Sequence, residues 1–389
     1  MSFSEWKEVK LKDICDYKTG KLNSNAAQEN GVYPFFTCSP EAYRINSYSF
    51  DQDAILLAGN NANGKFHINY YKGKFDAYQR TYVMASNDDS IIDNTYLYYY
   101  LTLQLNNLKE ISVGSATRFL TKGILDNISI KYPQYKQMKY IGKTLRSLDE
   151  KIELNNQMNK TLEEMAQALF KRWFVDFEFP NEDGESYKSS GGEMVDSELG
   201  MIPKGWQVGI LGDISNIVMG QSPKGSTYNE EGVGEVFYQG RAEFGTRFPK
   251  RRLYTSEPKR MANKGDVLMS VRAPVGDLNV AHEKCCIGRG LAAIQSKYGY
   301  ESFILYTMFN LEKQLNVFNG EGTVFGSINK DGLNNLKVIV PSPGVIKNFE
   351  EIVSKIDGTI QNNYDEVCSL QELRDILLPK LMLGEIRIK

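Results

Sequence analysis

The strongest constraint on this chain is that it repeats itself, and a repeat missed at the outset miscalls the fold. Residues Trp6 to Ile14 (Trp-Lys-Glu-Val-Lys-Leu-Lys-Asp-Ile) match Trp206 to Ile214 (Trp-Gln-Val-Gly-Ile-Leu-Gly-Asp-Ile) at an offset of 200, and Gly20 falls on Gly220. Further along the offset becomes 208. It pairs Gly114 with Gly322, Lys122 with Lys330, Leu125 with Leu333, Asn127 with Asn335 and Pro133 with Pro341. It then continues through Asp149/Asp357, Ile152/Ile360, Asn155/Asn363, Leu162/Leu370 and Leu169/Leu377. The 389 residues therefore hold two copies of one unit, each large enough for its own core.

Each copy opens with short β-like runs, such as Asp53–Ala58 and Asp266–Val271. Turn signals are dense, at Gly64, Gly73, Gly225, Gly245 and Pro274. Short helices are expected near Asn94–Leu108 and Tyr300–Leu315, so each half reads as an α+β domain. Each copy closes on a long helix. The first stripe is Ile141, Leu145, Leu148, Ile152, Asn155, Asn159, Leu162, Ala166, Leu169 and Trp173. The second is Phe349, Val353, Ile356, Ile360, Asn363, Val367, Leu370, Arg374, Leu377 and Leu381. Both alternate steps of four and three without a slip, the mark of a coiled-coil seam. About 35 to 40 helical residues give roughly 55 Å of rod. Between the halves, Asn181–Gly192 is polar and glycine-rich and reads as a linker.

Composition excludes several classes of chemistry. No basic N-terminal segment leads into an apolar run, and no apolar run approaches the ~20 residues of a membrane helix, so a cytosolic protein with no membrane partner is expected. The five cysteines show no CxxC spacing and suggest buried or idle thiols. Two histidines, His67 and His282, argue against His-based catalysis and a His-rich metal site. Gly59–Phe66 imitates a phosphate-binding loop, but Phe66 stands where Ser or Thr would hold Mg²⁺, and strand follows where a helix is required. Gly288-Arg-Gly290 and Gly320–Gly326 are too short for a dinucleotide fold. No Asn-Pro-Pro-aromatic motif, metal-ligand spacing or acidic nuclease cluster stands out, so no catalytic residue, metal or cofactor is assigned.

The positive signal is nucleic-acid contact. Net charge is −2, yet Tyr238–Lys264 carries eight Lys/Arg against two Asp/Glu. Arg and Lys contact phosphates and read guanine, while Asn and Gln suit adenine. In the second copy the candidate DNA-binding residues are Gln221, Tyr238, Arg241, Arg247, Lys250, Arg251, Arg252, Lys259, Arg260 and Arg272. In the first they are Lys18, Lys21, Asn60, Asn61, Asn63, Lys65, Arg118 and Lys122. The Asn-rich first set points to adenine and the Arg-rich second set to guanine.

The chain resembles the specificity (S) subunits of type I restriction–modification systems. The resemblance is carried by Ala168–Phe177, Leu199–Trp206, Gly220-Gln-Ser-Pro223, Gly265–Gly276 and Leu378–Ile386, and with the repeat it covers essentially the whole chain. It implies two target recognition domains (1–135 and 204–342), two conserved long helices (136–178, and 343–389 with a C-terminal tail) forming an antiparallel coiled coil in an α+β protein, and a linker (179–203). Each recognition domain would read one half of a split site on double-stranded DNA. The helices would space the domains and dock two modification subunits, which bind S-adenosylmethionine and methylate adenine. Restriction subunits would add ATP- and Mg-dependent translocation and cleavage. The chain itself would be no enzyme. The alternatives are a helical scaffold or a stand-alone DNA-binding protein outside restriction–modification. The first copy departs from the pattern, with Thr19-Gly-Lys-Leu for Gly-Gln-Ser-Pro and Ala-Gly-Asn-Asn for Arg-Ala-Pro-Val-Gly.

If two half-sites sit about 34–36 Å apart on one DNA face, a stiff helix pair could fix that spacing. An antiparallel seam makes a sharper expectation. If residue numbers in one layer sum to 522, Asn159 meets Asn363 and Ile152 meets Leu370. A buried Asn pair would then specify register at some loss of stability.

Overall fold

The computed structural model describes residues 6–62, 64–114, 117–319 and 326–386. The chain divides into two compact units, Met1–Asn155 with Glu366–Lys389, and Asn156–Asp365. Each unit holds one globular body and a stretch of both long helices, Tyr135–Phe170 and Pro343–Met382.

In the first unit a six-stranded sheet runs in the order Cys15–Thr19, Thr81–Ser86, Phe50–Ala58, Ile68–Ala77, Tyr33–Phe36, Tyr43–Ile45. The segment Ala54–Ala58 is buried throughout, as a central strand covered on both faces must be. Helix Asn94–Ile111 is capped by Asp93, whose carboxylate accepts from the Thr95 and Tyr96 amides. It buries Tyr96, Tyr99 and Tyr100. Their hydroxyls are satisfied by the Lys131 carbonyl (2.8 Å), Asp149 Oδ2 (2.5 Å) and the Ser129 carbonyl (3.1 Å). Leu145, Leu381 and Met382 from the long helices complete this core.

The second unit has a four-stranded sheet, Ser215–Met219, Leu291–Ser296, Val267–Ser270, Leu278–Val280. A five-stranded sheet is built around Glu235–Tyr238 and Cys285–Ile287. Its main core is aromatic. Phe349, fully buried, lies 5.8 Å from the ring of Phe170, 6.0 Å from Trp173 and 5.0 Å from Phe174.

The repeat is visible element by element. Strand Lys7–Lys10 pairs antiparallel with Ser129–Tyr132, and Gln207–Ile210 with Lys337–Val340. The short helices Leu11–Ile14 and Lys122–Asp126 return as Leu211–Ile214 and Lys330–Asn334. The expected helices appear as Asn94–Ile111 and as Glu301–Asn310 followed by Glu312–Asn316. The polar stretch Asn181–Gly192, expected as a linker, is an ordered loop. Phe179 stacks on Trp206 (4.9 Å) and on Tyr187 (4.6 Å), and Tyr187 donates from its hydroxyl to the Glu193 carbonyl. One tyrosine amid polar residues supplies the apolar contact that glycine-rich composition conceals.

Candidate nucleic-acid interface

Half of the eight cations in the basic segment of the second unit are paired within its own fold. Arg241 pairs with Asp277, Arg251 with Glu283, and Arg252 with Glu243 (2.6 Å) and Glu230 (3.7 Å). Lys250, Lys259, Arg260 and Arg272 are exposed and make no ion pair among the described residues. Gln221 is exposed too.

Two candidates in this unit are corrected. Tyr238 lies in strand Glu235–Tyr238 and is fully buried among Val236, Leu268 and Ile287, so it cannot touch DNA directly. Arg247 is 8% exposed and points inward. Its Nη2 donates to Asp357 Oδ1 (2.6 Å) and its Nη1 to Glu163 Oε1 (3.3 Å), one carboxylate from each long helix. The Tyr306 hydroxyl donates to the same Asp357 oxygen at 2.9 Å. Burial disfavours the Arg247 charge, but Asp357, Tyr306 and Glu163 outweigh it and hold the guanidinium above its usual pKa. Phe248, the next residue, packs against Tyr364 and His282, and His282 Nε2 lies 2.6 Å from Asp365. Arg247 is therefore an internal anchor that ties a surface loop to the helix pair.

In the first unit Lys18, Lys21, Lys65 and Lys122 are exposed, with Lys122 set 5.7 Å over the ring of Tyr17. Asn61 is held locally, donating to the Lys65 carbonyl and accepting from the Ala62 amide. Asn60 accepts from the Cys38 thiol, and Arg118 donates to the Ser112 carbonyl. Asn63 lies outside the described residues. After the Gly59–Phe66 loop the chain continues as strand Ile68–Ala77, so the phosphate-loop geometry does not form. Sequence reasoning missed a groove of about 770 Å³ in this unit, where Lys72, Lys136, Lys139 and Lys143 stand beside Asp93, and Arg146 is paired with Glu150 and Glu153. Lys136, Lys139, Lys143 and Arg146 recur at helical spacing on the first long helix, off the seam positions, while Lys72 joins them from strand Ile68–Ala77.

The helix seam follows the four-three pattern. Leu145, Ile152, Val353 and Ile360 are buried, and Leu148, Asn159, Leu162, Leu169, Ile356, Asn363, Leu370 and Leu377 are half-buried. In the first unit Asn155 Nδ2 donates to Glu366 (2.7 Å), and Arg374 pairs with Asp149 (2.9 Å). Numbers rise along one helix as they fall along the other, so the segments run antiparallel. In the second unit Asn363 Nδ2 donates to Asn159 Oδ1 (2.9 Å), as the layer sum required, and Asn159 Nδ2 reaches the Ile360 carbonyl (3.2 Å). Replacing Asn159 alone by leucine should cost about 1–2 kcal/mol, because it strands the Asn363 amide. The pair N159L/N363L should recover that loss while weakening register specification. Urea midpoints of both variants check this; a neutral N159L would show that the pair sets nothing.

Among the described residues no helix is long and apolar enough to cross a membrane, and no group of three or more His, Cys, Asp or Glu side chains is placed to hold a metal ion. The cysteines are free thiols. Burial pushes the Cys15 thiol up to about 12, so it is protonated and unreactive at neutral pH.

A profile of the type I restriction modification DNA specificity domain matches residues 3–164 and again 203–367, one match per copy of the repeat. The chain is 30% identical over 411 aligned positions to the MjaX type I restriction enzyme specificity subunit of Methanocaldococcus jannaschii, spanning 99% of this chain and 94% of that one. It is 33% identical over 217 positions to the EcoDI specificity subunit of Escherichia coli, spanning 52% of this chain and 47% of the other. In fold it is similar to the S subunit of a type I restriction–modification system from M. genitalium, with a TM-score of 0.65 and 17% identity over 97% of this chain and 96% of that one. With both halves matched and a relative aligned nearly end to end, the chain belongs to the type I restriction modification DNA specificity domain family.

Proposed function

We propose that this chain is the DNA-reading subunit of a type I restriction–modification assembly, working in the cytosol and without catalytic chemistry of its own. The observation that carries the reading is the duplication: one specificity domain per half of the chain, each with its own recognition body. Each body reads one half of a bipartite duplex site, and the paired helices set the distance between the halves. The helices also dock two modification subunits. Side chains left exposed on them support this: Leu154, Leu373 and Ile376 in the first unit, and Met158, Met165 and Ile352 in the second. S-adenosylmethionine, ATP and Mg²⁺ belong to the modification and restriction partners.

In the second body the proposed phosphate contacts are Lys250, Lys259 and Arg260, whose charges have no acidic partner among the described residues. The ion-paired Arg241, Arg251 and Arg252 contribute less to the field that DNA meets. In the first body Lys18, Lys21, Lys65, Arg118 and Lys122 take the phosphate-binding role beside Asn61. Neutralising Lys250, Lys259 and Arg260 together should weaken duplex binding and flatten its salt dependence by about 0.9 in log–log slope for each phosphate no longer neutralised. Fluorescence anisotropy at several salt concentrations measures both. Unchanged affinity and slope would reduce the segment to a solvated face. Reconstitution with modification subunits and S-adenosylmethionine should give adenine methylation at a split sequence. Methylation by the chain alone would refute the non-catalytic role, and absence of any DNA binding would leave a helical scaffold.

A further inference from the structure

Both units gather five chain segments into one platform through the same set of backbone hydrogen bonds. In the second unit the Gly220 amide donates to the Leu291 carbonyl (2.9 Å), Gly288 to Tyr238 (2.8 Å), Leu291 to Gly288 (2.9 Å), Val271 to Gly290 (3.0 Å) and Ile328 to Val271 (3.1 Å). In the first unit Gly20 donates to Thr81 (3.3 Å), Tyr78 to Phe36 (2.9 Å), Thr81 to Tyr78 (2.8 Å), Gly59 to Arg80 (2.8 Å) and Leu120 to Gly59 (2.8 Å). The parallel strand contacts agree, Tyr238 with Ile287 and Phe36 with Ala77. So do the antiparallel ones, Arg272 with Ser327 and Asn60 with Phe119. The close packing needs glycine: a Cβ on Gly220 would collide with the Gly288 carbonyl, and one on Gly20 with the Ala77 carbonyl.

These matched hydrogen bonds equate side chains that sequence alignment cannot, because the offset between the copies drifts from 200 to 212 within these segments. Gln221 stands where the first unit has Lys21, Arg272 where it has Asn60, and Arg289 where it has Gln79. Gln221, Arg272 and Arg289 are exposed, as are Lys21 and Gln79, while Asn60 is half-buried. Arg272 and Arg289 make no ion pair among the described residues, unlike Arg241, Arg251 and Arg252 nearby. Arg289 is further fixed by its amide donating to Ser222 Oγ (3.2 Å). In the first unit the Gln79 side chain is held by donating to Asn23 Oδ1 (2.8 Å), and Asn60 by the Cys38 thiol. A rigid backbone under a positioned fork or amide is what base reading in the major groove requires, because Arg bridges guanine O6 and N7 while Asn and Gln bridge adenine N6 and N7; to do so Asn60 and Gln79 would exchange their internal partners for the base.

We propose that these two platforms are the base-reading surfaces, with Arg272 and Arg289 selecting guanine in one half-site and Asn60 and Gln79 selecting adenine in the other. The inference rests on the DNA-reading role proposed above. Its test uses the full chain co-expressed with its modification subunits, mapping methylated adenines and then measuring methylation of duplexes altered one base pair at a time. R272K and R289K keep the charge but lose the fork. Each should lower discrimination at one G·C pair of one half-site by roughly 5- to 150-fold, leaving the other half-site's preferences as they were. N60A and Q79A should relax one A·T pair each in the opposite half-site, and R272N/R289Q should move the preference from guanine towards adenine. R289Q alone, with melting compared to the parent chain, guards against a fold defect posing as lost specificity. If the parent complex methylates a bipartite sequence and all of these variants keep its base preferences, the platforms do not read bases. If the parent complex neither binds nor methylates DNA, the DNA-reading role itself fails.

Discussion

Arg247→Ala should lower the stability of the second unit by about 3–5 kcal/mol, the cost of stranding buried charge. The guanidinium is 8% exposed and the Glu163 and Asp357 side chains it joins are each 18% exposed. With the cation removed, two carboxylates from two helices face each other across a shielded gap, with the Tyr306 hydroxyl still donating to Asp357. Arg247→Lys should recover part of the loss, because one ammonium cannot span both carboxylates as a planar fork does. Adding E163Q and D357N to R247A should recover much of it by removing the repulsion. Trp173 and Trp206 lie in the second unit and Trp6 in the first, so denaturation followed by fluorescence in a W6F background reports the second unit alone. A loss below about 1 kcal/mol would mean that the network is solvated and Arg247 free. In that case its assignment as a DNA contact would stand again.

Phe349→Ala should cost the same unit about 3–5 kcal/mol through a different cause, a cavity at the centre of its aromatic core. The ring is fully buried and meets four others, Phe170, Trp173, Phe174 and Tyr306, at centroid distances from 5.0 to 6.3 Å. Those partners come from the first long helix, the turn that ends it and the helix Glu301–Asn310, so no single segment can collapse into the space. Phe349→Leu should cost less, since it keeps more of the volume. Denaturation midpoints with Trp173 as reporter measure both, and equal losses for Ala and Leu would indicate that ring stacking outweighs volume. Unlike R247A, F349A should not respond to changes at Glu163 or Asp357.

The parts of this molecule visible in its sequence are those written in local periodicity. The seam positions follow from steps of four and three, and the Asn159–Asn363 contact follows from one arithmetic condition on two such stripes. The duplicated strands and short helices follow from the two offsets. The binding surface is less legible because charge along the chain is not charge in space. Arg247 finds its acids 84 and 110 positions away, and Arg251 finds Glu283 32 positions away, so a count over Tyr238–Lys264 overstates the field at the surface. Tyr238 reads in sequence as an aromatic interleaved with cations, but it ends a strand whose residues Val236 to Tyr238 are all buried. Gln79 and Arg289 carry no signal there, since neither sits in a charge run and their equivalence emerges only once the backbone hydrogen bonds are compared.

The division of the helices between the two units has a consequence for how the protein is made. The second unit is one unbroken stretch, Asn156–Asp365. All its core residues have been synthesised before the last of the second long helix leaves the ribosome. The first unit is different: Leu381 and Met382 belong to the same buried cluster as Leu11, Tyr96 and Leu145. The body begun first is thus the one finished last, held open across more than two hundred residues until its closing segment arrives. Contacts at such separation are slow to form and leave apolar surface uncovered meanwhile. In the growing chain, the first recognition body is the one that most needs protection from aggregation.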